Sequence, residues 1–419
     1  MNTYKHSNIH YNNAGFSLIE LMVAVLIGIT MLAALISLFT NFSSMNRAQN
    51  GLARIQENGR YVFLRMKKDL ENVGFQPCST ISMDSPVRID RGFAMRPYIS
   101  FAILDNGLPA TGVIDTQYLI QGHECDDTGI CTPALGIFPG GDPYNKIPNS
   151  GITANSRAHK TDVLTVRYLT SNPVNVDDTV FPSTHSSFTI NQDPKSPPLS
   201  LESGDNILIA NCINTLIVRA RPGGGNNISV PSGGFIAGAS VQWASRETLT
   251  SVYNFTKSFS TVSYYVGFKQ HPDDANRVIS SLYRIENGDD PQELIEGVER
   301  FDLRYGVQFS DGRVAYLRAD EIQNSALSDC TIEPLVPESS GLPALINGPG
   351  CLWRSVFAVK VNFLLNTVYN SATSDSEKFI YSPDGLTEQL PADIPSGINP
   401  GYMYRKEFSE IISLQSNNL

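Results

Sequence analysis

Three residues at the mouth of an apolar run, Gly15, Phe16 and Glu20, have the types and spacing to do chemistry. A carboxylate inside an apolar helix costs a few kcal/mol at mid-bilayer, so Glu20 calls for a cationic partner. Cleavage after Gly15 would create one, because the new α-amino group on Phe16 has an intrinsic pKa of about 8 and would be largely protonated. Within one straight helix, Glu20 lies about one turn from that amine and can neutralise it. Between neighbouring staggered helices, the same pair can set register. Two unit charges at about 4 Å attract by about 4 kcal/mol at an effective dielectric near 20, so a mismatched stagger leaves a costly unpaired charge. The plainer alternative is an interfacial glutamate that snorkels to the headgroups.

The elements that must position these residues follow from hydropathy. Residues 1–15 are polar, contain Lys5, His6 and His10, lack acidic side chains and end at Gly15. Residues 21–39 then run without a charge, about 28 Å of helix at about 1.5 Å per residue, close to the hydrocarbon thickness of a bilayer. An ordinary secretory signal is cleaved after its apolar core. Here the basic segment stops at a glycine before the core begins, although hydropathy alone also fits a plain signal anchor. Beyond Phe42 a helical rhythm continues through Met45, Ala48, Leu52, Ile55, Gly59, Val62, Met66, Leu70 and Val73, the stripe of an amphipathic helix. No proline falls between Phe16 and Asn72, and Gly74 suits a helix C-cap. One helix over 16–73, about 87 Å long, is predicted.

After Gly74 the texture changes to short β-branched or alternating runs broken by Gly, Pro, Asn and Asp. Strands are expected at 163–169, 206–210, 215–220, 261–268, 281–285, 300–307 and 356–365. Loops are expected at 138–150, 172–200, 223–227 and 325–350. The result is a mainly antiparallel, β-rich head.

A net charge of -10 and a pI near 5.1 argue against a protein that covers nucleic-acid phosphate, so no nucleic-acid partner is expected. The six cysteines, Cys78, Cys125, Cys131, Cys212, Cys330 and Cys351, all follow the apolar run, which suggests an oxidising compartment; six reduced thiols are the alternative. Sequence cannot choose among about 15 connectivities. The expected pairing is Cys78 with Cys212, tying the helix end to the sheet, with Cys125–Cys131 and Cys330–Cys351 closing modest loops. His123, Glu124, Cys125, Asp126, Asp127 and Cys131 crowd together but lack a second ligand pair at zinc spacing. Asp273, Asp274, Asp289 and Asp290 read as solvated turns. The glycines at 223–225 lack a P-loop lysine, and neither a nucleophile elbow nor a metalloprotease helix is present. No catalytic residue, metal or cofactor is therefore expected, and the head is not read as an enzyme.

The motif GFSLIEL at 15–21 resembles the processing signal of type IV prepilins and type II secretion pseudopilins. That resemblance implies cleavage after Gly15 and N-methylation of Phe16 by prepilin peptidase, with Glu20 as the assembly glutamate. The blocks at 52–75, 203–212 (SGDNILIANC), 281–288 (SLYRIENG) and 292–307 (QELIEGVERFDLRYGV) resemble PilW-type minor pilins, in family order. The loops at 172–200 and 325–350 depart from the family pattern. The implied architecture is an α+β, type IV pilin-like fold: leader 1–15, transmembrane half-helix 16–42, amphipathic half 43–74 and head 75–419. The implied role is priming of pilus assembly at the fibre tip. The implied partners are other minor pilins, the major pilin, prepilin peptidase, the inner-membrane assembly platform and a candidate tip adhesin. The chain would sit in the bacterial inner membrane with its head in the periplasm before entering the pilus. A minor pseudopilin and a pilin-anchored adhesin are the alternative readings.

Overall fold

The computed structural model describes residues 17–73, 99–100, 120–135, 146–170, 173–176, 187–191, 198–210, 215–229, 251–330, 350–369, 381–383 and 403–414. Helix α1 (Leu18–Glu71) is one uninterrupted element of 54 residues. It starts where Ser17 is extended and Glu20 supplies the first-turn acid. It ends where the Asn72 side-chain amide donates to the Lys68 carbonyl at 2.8 Å, satisfying one orphan acceptor of the last turn. The expected cap at Gly74 lies outside the described residues.

In chain order the strands are β1 (Ile99–Ser100), β2 (Ile120–Cys125), β3 (Cys131–Thr132), β4 (Val163–Leu169), β5 (Val174–Val176), β6 (Ser187–Asn191), β7 (Asn206–Ala210), β8 (Thr215–Arg219) and β9 (Arg221–Pro222). They continue as β10 (Asn227–Ser229), β11 (Ser251–Asn254), β12 (Phe259–Gln270), β13 (Val278–Glu286), β14 (Gln292–Glu296), β15 (Val298–Gln308), β16 (Val314–Leu317), β17 (Val356–Asn366) and β18 (Arg405–Ser413). Two short helices, α2 (Phe255–Ser258) and α3 (Ala319–Gln323), interrupt them. The sheet orders are β14-β13-β12-β4-β2-β3, β16-β15-β17-β18 and β1-β8-β7-β11-β5-β6-β10-β9. Strand pairing is antiparallel except between β1 and β8.

The head has two principal cores. In the larger, Ile55, Val62, Met66 and Leu70 of α1 pack among Val166, Tyr264, Leu282, Phe301, Val361 and Phe363, so the helix lies against both the six- and four-stranded sheets. The eight-stranded sheet has its own core around Val176, Phe188, Ile207 and Val252. A small cluster of Leu208, Tyr253, Phe255 and Phe259 forms where β11 passes through α2 into β12. Its Phe255 and Phe259 rings stack with centroids 4.6 Å apart.

Two expectations need correction. The range 172–200 is not simply a loop, because β5 and β6 lie within it; their alternating burial in VNV and SFTIN is too short to stand out from the surrounding hydroxyl and proline residues. The apolar stripe of the second half-helix is covered only from Ile55 onward: Met45 is exposed, and Ala48 and Leu52 are half-buried. The head reaches α1 through β14 and β18 at about that level, where Asn58 donates to the Glu296 carbonyl at 3.4 Å and Gly59 meets Phe408.

Candidate assembly helix and its seat on the head

At the free end of α1, the Ser17 backbone N–H donates to Glu20 Oε2 at 3.4 Å, so the Glu20 side chain folds back toward the N-terminus. The positive end of the helix dipole also favours a carboxylate there. Gly15 and Phe16 lie outside the described residues. From Leu18 to Phe42 every large apolar side chain of α1 is exposed, Leu18 at 76% and Phe39 at 76% among them. This end of the helix is long and apolar enough to cross a membrane. Such a surface requires lipid or other helices, since water would leave it unsatisfied.

The other end of α1 is fastened by three kinds of contact. Gly59 admits the Phe408 ring of β18 against the helix backbone. Phe63 then packs edge-on to Phe363 of β17 at 5.6 Å, and Phe363 stacks on Phe301 of β15 at 4.9 Å. Nearly two turns further, Asp69 is buried and polar. Tyr168 of β4 donates to its Oδ1 at 2.8 Å; Arg284 of β13 donates through Nε to its Oδ2 at 2.8 Å, and the Tyr264 hydroxyl of β12 donates to the same oxygen. Arg284 also donates to Glu286 at 2.6 Å. Every donor comes from the six-stranded sheet, so Asp69 fixes where along the helix that sheet sits. Removing one partner of such a buried pair typically costs about 3–5 kcal/mol, because the other charge is left without compensation.

Two further buried polar clusters hold the head together. Arg405 of β18 embraces Glu299 of β15 with Nε at 2.7 Å and Nη2 at 3.0 Å, and Asn366 donates to the same carboxylate at 2.7 Å. Burial still raises the Glu299 carboxyl above the usual range. The second cluster lies where β2 and β15 meet. Glu124 faces Arg304 at 3.8 Å, and Asp162 accepts from the Leu303 backbone N–H at 2.7 Å. Asp302 receives Arg300 Nε at 3.0 Å and the Tyr381 hydroxyl. Burial pushes Glu124 up to about 7, helped by Asp302 and Asp320 and opposed by Arg304 and Arg318; it holds Asp162 well above the carboxylate range.

The remaining candidates separate. Cys125 is bonded to Cys131, closing the β2–β3 turn, and Cys330 is bonded to Cys351, joining the segment after α3 to the turn that leads into β17. Cys78 and Cys212 lie outside the described residues. His123 shares a 2.7 Å hydrogen bond through Nδ1 with the Pro133 carbonyl, and burial lowers it to about 4. Asp126 accepts from the backbone N–H groups of Thr128 and Ile130 at 2.9 Å each. The crowd of possible ligands around His123 thus serves a disulfide-closed turn. Asp290 pairs with Lys146 at 2.9 Å, and Asp274 accepts from the Asn276 N–H in a turn. The functional residue that periodicity missed is Asp69. Its signal was a lone acid between Lys68 and Leu70 on the covered side of an otherwise apolar stripe.

An exposed apolar half-helix, continuous with a half fastened to an antiparallel head, is a pilin-like architecture. Residues 10–36 match the prokaryotic N-terminal methylation motif, and residues 263–416 match the model of type IV pilus-assembly protein W. The chain is a PilW-like prepilin of the type IV pilus. The second match spans β12 through β18 and includes the 281–288 and 292–307 blocks; the 52–75 and 203–212 blocks fall outside both matches. No curated protein and no solved structure matches the chain.

Proposed function

We propose that this prepilin primes pilus assembly as a minor pilin and occupies the fibre tip. The observation that carries the reading is bulk. The head, residues 75–419, is large, and Asp69 and the aromatic contacts lock its six- and four-stranded sheets to α1, which supports a subunit whose copies do not stack along a thin shaft. A terminus imposes no such limit. In this reading prepilin peptidase cleaves after Gly15 and methylates Phe16, and Glu20 pairs with a neighbour's terminal amine as the subunit leaves the inner membrane. The head waits in the periplasm, and other minor pilins, the major pilin and the assembly platform are the partners. The protein acts by shape and charge rather than by catalysis.

The test is a clean deletion strain complemented with wild type or Glu20→Ala. Surface pili should fall sharply on deletion and return with wild type only, while Glu20→Ala still inserts in the membrane because its span is more apolar. Normal piliation in the deletion strain would refute priming. Normal pili with lost attachment would favour an anchored adhesin. Mass spectrometry of the N-terminal peptide should find methylated Phe16.

A further inference from the structure

The two edges of the four-stranded sheet are built differently. β18 carries Arg405, Lys406, Glu407 and Glu410, and charges on an edge deter the addition of a further strand. β16, at the opposite edge, reads VAYL, with neither charge nor proline. Edges of the other two sheets are guarded or short: β14 bears two glutamates, β9 ends in proline, β3 is tied by a disulfide and β1 has only two residues.

The register fixes which backbone groups of β16 are open. Phe309 N–H donates to the Arg313 carbonyl at 2.9 Å, so that pair is hydrogen-bonded, and without a register shift Val307–Ala315 and Tyr305–Leu317 continue the series. Val314 and Tyr316 stand between them, opposite Gln308 and Gly306, and their N–H and C=O groups point away from β15. No strand lies beyond β16 among the described residues. The side chains of the same two residues turn away from α1, because Tyr305 and Val307 supply the core face of β15 and Gly306 the other. Val314 is 56% and Tyr316 40% exposed. The Tyr316 and Phe357 rings, 6.4 Å apart, meet over Gly306, where a Cβ would stand 3.2 and 3.0 Å from them. An apolar shelf therefore borders an open row of backbone donors and acceptors. An extended chain matches both at once, whereas lipid tails and helices offer no free backbone groups in that line.

Charge decides which extended chain fits. Residues 309–329, which frame β16, hold four acids, Asp311, Asp320, Glu321 and Asp329, against Arg313 and Arg318, a surplus of two negative charges. Both arginines are already engaged, Arg313 with Asp311 at 2.5 Å and Arg318 with Asp320 at 3.0 Å. Pairing two copies edge to edge would bring like surpluses together, so self-association is disfavoured. We propose that the β16 edge docks an extended segment of a second, different protein by strand addition, the segment bearing apolar side chains at alternate positions and lysine or arginine at its ends. The inference needs only the head of the prepilin and is independent of tip placement.

The experiment uses the full-length chain in detergent and a fluorescent peptide, KKTVTVTVKK, which alternates threonine with valine between lysine ends. Anisotropy should show saturable binding below about 1 mM, and hydrogen exchange should slow over residues 313–318. Replacing the lysines of the peptide by glutamates should weaken binding about two- to fivefold. Val314→Pro removes an outward N–H that the β15 ladder does not use, so the sheet should persist while affinity falls about five- to tenfold. An unchanged protease-resistant head verifies folding, and should the variant misfold, the exchange pattern of the wild type still decides. No saturable binding, slowed exchange confined to α1, or full affinity in a folded Val314→Pro chain would each overturn the proposal. Protection of 313–318 without peptide that disappears on dilution would overturn it too, by placing a second copy on the edge.

Discussion

Gly59 of α1 and Phe408 of β18 approach so closely that a Cβ at position 59 would stand 2.7 Å from Phe408 Cε1. The helix thus gives up side-chain volume where the last strand crosses it. Gly59→Val should destabilise the protein by about 1–3 kcal/mol, because overpacking exceeds the fraction of a kcal/mol returned by helix propensity. Gly59→Ala sits nearer neutrality, since its propensity gain of about 1 kcal/mol offsets part of the clash. Urea midpoints of detergent-solubilised protein decide this, and a stabilised Gly59→Val variant would show that the ring is free to move.

Asp69→Ala should cost about 3–5 kcal/mol, the typical penalty for breaking a buried pair, because Arg284, Tyr168 and Tyr264 all lose an acceptor. Limited proteolysis should then cut near the C-terminal end of α1 before the four-stranded sheet is attacked. Uniform resistance would mean that the aromatic contacts alone seat the helix.

Glu124 and His123 should pull stability in opposite directions between about pH 4 and 7, Glu124 lowering it as pH rises and His123, which burial lowers from 6.5 to about 4, raising it. Burial raises Glu124 from 4.5 to about 7, so between those values the folded state holds a proton that the unfolded chain has released. The contribution is complete below about 4.5 and is lost as pH passes the folded value; for one such group it is at most about 3 kcal/mol. Asp162, raised in the same cluster, extends the trend in the same direction. Glu124→Gln should remove the declining contribution and shift the profile toward stability that rises with pH through the His123 window, and curves parallel to wild type would show that Glu124 contributes nothing.

Removing the Cys330–Cys351 bond with paired serine substitutions should cost about 3 kcal/mol, and removing Cys125–Cys131 about 2, since the sequence separations are 21 and 6 and the closure entropy grows with loop length. Non-reducing peptide mapping of the native protein tests these bonds and the expected Cys78–Cys212 pair together.

The helix and the central strands were legible because their signals are local. The three-four spacing from Ile55 to Val73 marks the covered face, and runs such as VLTVRYL and VFAVKVNFLL need only their own residues to read as strands. Strand β18 was not legible. RKEFSEIIS carries four charges because it is an edge strand, and it earns its place only by pairing with β17. Asp69 was hidden for a different reason: its partners Tyr168, Tyr264 and Arg284 lie 99, 195 and 215 residues away, and a single acid gives no sign of them. The crowding of three acids and two cysteines around His123 had the opposite fault, a strong local pattern dissolved by a disulfide and a backbone contact.

Because α1 runs without a break from its lipid-facing end into the head, an axial pull on Leu18–Phe42 reaches the head along the helix's own hydrogen-bonded ladder. Gly59, Phe63 and Asp69 lie in succession along that line, and each grips a different strand. Tension therefore loads them in shear and nearly together, instead of peeling them one after another. In mechanical terms the helix is a spliced tow-rod, and its strength at the joint is closer to the sum of its fastenings than to the weakest of them.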